Sequence, residues 1–293
     1  MKPGRGILLT FILPALLVMF FIALLPFAIA IVMSFTNYNV MYSLEPQFIG
    51  FENYINIFTD IRALNALKNT FTFVFFSVAI EFCLALPLSY IIWNTLKNSK
   101  FENIMMILIA FPMLIPKVTS GLLWKFLYNP MFGPVNHILN FLGFKSIAFL
   151  SRPDLALPSI IFVDIWQWTP FLILIFLSAL EALPTSPFEA AMIDGANEFQ
   201  KFWKLAVPLL KPIFFVAIIF RVIDALRTFD TIYVMTGGGP GIATETVDIY
   251  AYLIGISQGG RIAYASSVSI ILLIITIILS NLLVRFMYRE ESF

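Results

Sequence analysis

The stretch LPTSPFEAAMIDGANEFQKFWKLAVP, residues 183–208, lies between two long apolar runs and is the most informative segment of the chain. Ser186, Pro187 and Glu189 are spaced as N-cap, N1 and N3 of a helix, a capping box with proline where a helical N–H has no acceptor. Phe188, Ala191, Met192, Gly195, Phe199, Phe202, Trp203 and Ala206 recur at helical spacings and predict one apolar stripe, with Asp194, Asn197, Glu198, Gln200, Lys201 and Lys204 opposite. The stripe is too short and too polar to cross a bilayer. Its aromatic rings nonetheless need cover from lipid headgroups, from the protein's own helices or from a second protein. Gly195, with no Cβ, permits a break into two short helices.

Outward from this loop, composition sets the solvent. The 293 residues are 60% hydrophobic and 12% charged, with a mean hydropathy of +0.92, against about 25% charged in an ordinary soluble domain. A hydrocarbon core about 30 Å thick takes about 20 apolar residues per helix. Six segments satisfy this, roughly 7–35, 70–94, 104–127, 156–180, 206–233 and 263–287. Their continuous apolar character lacks the period-two alternation of a membrane β-barrel, so the predicted fold is an all-α integral membrane protein with six transmembrane helices in a single domain, residues 1–293. The N-terminus, with Lys2 and Arg5 before an uncharged run, reads as a retained first span rather than a signal peptide. Lys2, Arg5, Lys97, Lys100, Lys201, Lys204, Lys211, Arg285 and Arg289 would lie on one side, and Arg62, Lys68, Lys145, Arg152 and Arg261 on the other. The richer side is cytoplasmic, placing both termini inside.

Single Cys83 and His137 residues exclude a disulfide framework and any multi-Cys or multi-His metal site. A net charge of +1 without a basic cluster speaks against nucleic acid as a partner. Nothing resembles a phosphate-binding Gly-rich loop with lysine, so this chain carries no nucleotide site of its own. Prolines 112 and 116 are expected to kink the third span.

Charges at membrane depth cost of order 2.5–3.5 kcal/mol each on insertion scales, so they mark a cavity or a partner. Arg221, Asp224, Arg227 and Asp230 recur every three residues with alternating sign, and Arg221, Asp224, Ala225 and Thr228 share one helical face. In the fourth span Asp164, Gln167, Trp168 and Phe171 share another face, mixing acceptors, an amide and aromatic rings in the way that sugar hydroxyls and ring faces require. Spacing alone leaves a structural salt-bridge ladder and a substrate path equally open. Glu81, Lys117 and Lys125 are expected to be structural, with the lysines snorkelling to an interface. A secondary transporter or channel using the span-five charges, or an intramembrane enzyme pairing Asp164 with Asp224, are the competing functions.

Glu189-Ala190-Ala191, Gly195, Leu205, Val207 and Pro208 are similar to the EAA signature of ABC importer permeases, with Leu205 and Val207 as conservative departures. The chain length, six spans and the Thr236-Gly-Gly-Gly-Pro240 run resemble the carbohydrate-uptake permeases of the maltose and glycerol-phosphate type, and specifically the first of their two permease subunits. The resemblance implies a type I ABC importer permease fold in which the loop, about residues 184–205, is a cytoplasmic coupling helix docked on an ATPase through Glu189, Ala190, Ala191, Asp194, Gly195, Phe199, Leu205 and Pro208. It implies sugar contacts at Gln167, Trp168, Phe171, Arg221, Asp224, Ala225, Thr228 and Asp230, although the charges at 221, 224 and 230 depart from the largely neutral maltose case. It also implies partners: a second homologous permease, two ATPase subunits that use ATP and Mg, and an extracytoplasmic sugar-binding protein. The expected location is the cytoplasmic membrane of a prokaryote.

Overall fold

The computed structural model describes residues 5–42, 45–96 and 102–290, with side chains over 10–42, 45–96 and 104–286. Lys2, Lys97 and Lys100 lie outside the described residues, as do the side chains of Arg5 and Arg289. The described chain is almost wholly helical, with an isolated β-bridge between Thr36 and Phe48.

Helix α1 (Thr10–Ser34) carries one π turn at Phe20–Leu24, and none of its most apolar stretch is buried within the chain. Short α2 (Glu52–Thr59) leads into α3 (Ile61–Leu96), 36 residues long with Pro87 in its interior. A helix α4 (Glu102–Ala110) tightens into a 3-10 turn at Phe111–Leu114 and is followed by α5 (Lys117–Leu127). The axes on the two sides of this junction differ by 91°, so the expected kink at Pro112 and Pro116 is a full break. Ile115 is extended (ψ 126°) and Pro116 begins the new helix from outside it, as expected where a pyrrolidine ring excludes α geometry from the residue before it.

Then follow α6 (Pro134–Phe141), α7 (Pro153–Glu181), α8 (Ser186–Ile193) and α9 (Glu198–Leu209), α10 (Lys211–Leu226), α11 (Asp230–Thr236), α12 (Val247–Ser257) and α13 (Ile262–Glu290). Four helices are individually long and apolar enough to cross a membrane: α1, α3, α7 and α13. Counting each bent pair, α4 with α5 and α9 with α10 (69°), as one span makes six.

Packing groups the residues into two units, one made of the chain up to Leu64 with Tyr250–Ile274, the other of Asn65–Ile249 with the chain from Ile275 onward. Within the second, Gly121 lets α5 approach α11, since a Cβ there would stand 3.3 Å from Val234. Asn136, fully buried, takes its place between Tyr128, Asn129 and Ile147, whose carbonyls accept from Nδ2 while Oδ1 accepts the Ile147 N–H at 2.7 Å.

Within the first unit the start of α3 is fixed by Asp60. Its Oδ1 caps the helix by accepting the N–H groups of Arg62 (2.9 Å) and Ala63, and Oδ2 accepts the hydroxyls of Tyr250 and Tyr264. Burial would raise the Asp60 pKa, but these donors outweigh it and hold the carboxyl below the usual carboxylate value. A depressed native pKa stabilises the fold above the unfolded value, about 4, and that stabilisation is lost as the pH falls further. Asp60→Ala is therefore expected to cost about 1–2 kcal/mol, read as a lower unfolding temperature of the detergent-solubilised protein at pH 7. The gap between variant and wild type should shrink in scans taken below pH 4.

Candidate functional site

Two assemblies hold the candidate residues, one at the loop and one among the spans. In the loop, α8 begins at Ser186 with Thr185 as N-cap; the Thr185 carbonyl accepts the N–H groups of Phe188 and Glu189, and no side chain caps the helix. The capping box expected at Ser186 and Glu189 is absent because the first turn starts one residue early, leaving Pro187 inside it rather than at its edge. A capping box exists eleven residues later, where Asn197 Oδ1 accepts the Gln200 N–H at 2.9 Å and Gln200 Oε1 accepts the Asn197 N–H at 3.0 Å.

Between the two helices Gly195 adopts φ +76°. The Ala196 N–H reaches the Ala191 carbonyl at 2.9 Å and the Gly195 N–H reaches Met192 at 3.1 Å, the paired bonds of a Schellman ending. An L side chain would be strained in this backbone conformation, yet a Cβ at 195 meets nothing within 4 Å. Glycine is thus required by the turn and leaves open space beside it.

The break overturns the single stripe. Phe188, Phe202 and Ala206 turn inward and join Tyr90, Trp93, Leu177, Leu180 and Leu210 in one buried cluster. Met192, Ile193, Phe199 and Trp203 stay exposed, Ile193 at 88%. Helical periodicity assumed one axis, and Gly195 supplies two. Ala191, Asp194, Gly195, Lys204 and Leu205 line a hollow of about 350 Å³ on this loop. Glu189, Ala190, Phe199 and Pro208 are exposed.

At membrane depth the centre is Arg221 of α10, 1% exposed. Its Nε donates to Glu81 Oε2 at 2.6 Å and Nη2 to Glu81 Oε1 at 2.8 Å; Nη2 also donates to Asp164, and Nη1 to Asp224 Oδ2 at 3.1 Å. Glu81 of α3 and Asp164 of α7 are fully buried. Lys117 does not snorkel: its ammonium donates to both Asp224 oxygens, at 3.0 and 3.2 Å. Lys125 donates to the Val234 carbonyl at 3.0 Å. Lys117 and Arg221 lie 5.1 and 5.4 Å from the Trp168 ring centre, and Phe171 meets the same indole edge-on at 5.9 Å. Gln167 donates to the Ile115 carbonyl at 2.7 Å, satisfying an oxygen that the Pro116 break leaves without a helical donor.

The expected span-five ladder stops early. Helix α10 ends at Leu226, so Arg227 is its C-cap and Asp230 opens α11, both exposed. Ala225 and Thr228 are buried. Of the eight residues expected to contact sugar, the structure gathers Gln167, Trp168, Phe171, Arg221 and Asp224 around one cluster and sets Asp230 apart. Glu81 and Lys117 are full members of that cluster, and sequence spacing missed them because they come from other helices. The Asp224 side chain, 37% exposed, and that of Lys117, 23%, are its accessible charges, and Trp168 Nε1 meets no acceptor among the described residues. A groove of about 1290 Å³ runs along α3 beside Val78, Phe82 and Phe214 with an almost wholly apolar lining, which suits hydrocarbon rather than a polyhydroxylated solute.

Removing Arg221 would strand two buried carboxylates. Arg221→Ala is expected to cost about 3–5 kcal/mol and to remove most folded protein from gel filtration, whereas Asp224→Asn, at the accessible edge, should shift stability by less than about 1 kcal/mol.

A family model described as binding-protein-dependent transport system inner membrane component matches residues 85–289. The trehalose/maltose transport system permease protein MalF of Thermococcus litoralis is 38% identical over 208 residues, 71% of this chain and 70% of that protein. The sulfoquinovosyl glycerol transport system permease protein SmoG of Agrobacterium fabrum is 31% identical over 280 residues, 95% of this chain and 89% of that protein. Among solved structures, a chain of a bacterial ABC transporter involved in import of the acidic polysaccharide alginate superposes with a TM-score of 0.85 at 22% identity, covering 97% of this chain and 96% of that one, a likeness of fold.

Proposed function

The chain belongs to the binding-protein-dependent transport system inner membrane components, and from that premise we propose how its two assemblies divide the work of a sugar importer. It is a multi-pass membrane protein with the type I importer permease fold, a permease subunit of an ABC importer and not an enzyme. The relatives named for trehalose, maltose and sulfoquinovosyl glycerol support a sugar or sugar-like solute as cargo.

In this reading residues 1–293 form one permease domain. It is the first of two homologous permeases, sits in the cytoplasmic membrane of a prokaryote with both termini inside, and receives solute from an extracytoplasmic sugar-binding protein. Two ATPase subunits bind ATP and Mg; this chain binds neither. The observation that carries the loop's role is Gly195, which ends α8 with its αL turn and itself lines a hollow, on a loop where Met192, Ile193 and Phe199 are uncovered. A rigid projection with exposed apolar side chains beside a cavity is the form of a docking element. The ATPase cleft would receive Glu189, Ala190, Ala191, Asp194, Gly195, Phe199, Leu205 and Pro208.

Among the spans, Asp224, Lys117 and the Trp168–Phe171 rings offer an acceptor, a donor and apolar ring faces to a sugar, while Arg221, Glu81 and Asp164 hold the helices that present them. Engagement of Arg221 on three carboxylates leaves no free charge ladder for a channel or ion-driven transporter.

Two measurements test these roles. Gly195→Asn, which tolerates the αL turn, should retain ATPase subunits in a pull-down, while Gly195→Trp, which meets no steric clash but strains that turn and adds bulk on the open side, should lose them while the chain still elutes as folded protein from gel filtration; equal retention by both would remove the loop from the interface. Asp224→Ala is expected to abolish solute uptake in proteoliposomes while basal ATP hydrolysis by the assembled complex persists; undiminished uptake would take Asp224 out of the solute path.

A further inference from the structure

The loop is joined to the rest of the chain by two kinds of link, and they differ in stiffness. Along the backbone, α9 passes through a π turn at Phe202–Ala206 and then meets α10 at 69°, with Pro208 and Pro212 on either side of Leu210. Bends at proline and π turns are the compliant points of a helix. Across space, the loop is held by α3, a helix remote from it in sequence. The Tyr90 hydroxyl donates to Glu198 Oε2 at 3.1 Å, and Lys201, a residue only 5% exposed, holds Glu198 Oε1 through its ammonium at 2.6 Å. The Tyr90 ring packs on Phe202 with centroids 5.2 Å apart, and Trp93 packs on Phe188 at 5.0 Å. Both arms of the broken loop are thereby gripped by the same end of α3.

Nine residues before Tyr90, on the same helix, Glu81 forms its two hydrogen bonds to Arg221. At 1.5 Å per residue the separation is about 13–14 Å of continuous α-helix, interrupted only by Pro87, whose ring leaves the helix unbroken. We propose that Tyr90 is a positioning residue for energy coupling: by holding Glu198 it latches the loop to α3, so that displacement of the loop moves α3 and, through Glu81, the Arg221 cluster. Covalent continuity with α10 alone would let the loop pivot about Leu210. The hydroxyl matters separately from the ring, since the ring's packing would persist in phenylalanine while the bond to a carboxylate would not.

This rests on the reading that the loop meets the ATPase, and the experiment separates the two. In the complete importer, reconstituted in nanodiscs with both permeases and both ATPases and with Cys83 replaced by serine, spin labels at Thr185 and Ile91 report the loop against α3, and labels at Ile91 and Leu282 report α3 against α13. All three sites are exposed. On trapping with ATP and vanadate, the wild-type 185–91 distance should stay within its nucleotide-free width while the 91–282 distance shifts. In Tyr90→Phe the 185–91 distribution should broaden about twofold, with ATP hydrolysis retained within about a factor of two of wild type. Glu198→Gln should reproduce that broadening, and Tyr90→Phe combined with Glu198→Gln should add nothing further. A wild-type 185–91 distance that changes on trapping, or a Tyr90→Phe variant indistinguishable from wild type, overturns the latch. Distances that ignore nucleotide at both pairs overturn instead the docking of the loop on the ATPase.

Discussion

A guanidinium buried at 1% exposure in a protein surrounded by hydrocarbon has no water to fall back on, and much of the architecture follows from meeting its demand for acceptors. Arg221 obtains them from three helices: Glu81 from α3, Asp164 from α7 and Asp224 from its own α10. Helices in a bilayer gain little from hiding apolar surface from one another, since lipid covers it equally well. A charge cluster that cannot be left open therefore dictates which helix faces meet. The planar fork of arginine suits this, taking Glu81 bidentately through Nε and Nη2 while other N–H groups reach Asp164 and Asp224.

The same constraint orders the neighbourhood outward. Asp224 balances Arg221 on one side and Lys117 on the other, and both cations sit against Trp168. Lys117 is available because α5 starts at that residue, after the Pro116 break. The break in turn frees the Ile115 carbonyl that Gln167 satisfies. A helix interruption and a charge cluster thus explain one another: the interruption brings an ammonium and a bare carbonyl to the cluster, and the cluster supplies the partners that keep the interruption from being costly.

At the other end of α3 the chemistry is aromatic. Tyr90 and Trp93 accept Phe202 and Phe188 from the two arms of the loop, and Leu177, Leu180 and Leu210 close the cluster from α7 and from the bend into α10. Side chains exposed on the same loop, Met192, Ile193 and Phe199, are largely uncovered by the described residues. The loop thus has an inner set of rings that fixes it and an outer set left exposed, each drawn from both sides of Gly195.

Composition and apolar run length determined by themselves that this is a helical membrane protein, because hydrocarbon imposes length and hydropathy on each span whatever its neighbours. The local signature from Glu189 to Pro208 identified the loop, since its glycine and its spacing are properties of the chain in sequence. Tertiary structure alone decided the rest. Periodicity was read along one axis, so it could not show that the stripe from Phe188 to Ala206 divides at Gly195, nor that the ladder from Arg221 to Asp230 stops where α10 ends at Leu226. Glu81 and Lys117 stand in the sequence as isolated charges far from Arg221 and Asp224, and spacing relates only residues on a common helix. Which carboxylate meets which cation across helices is set by packing in three dimensions, where an unmatched charge in hydrocarbon costs more than any local preference can return.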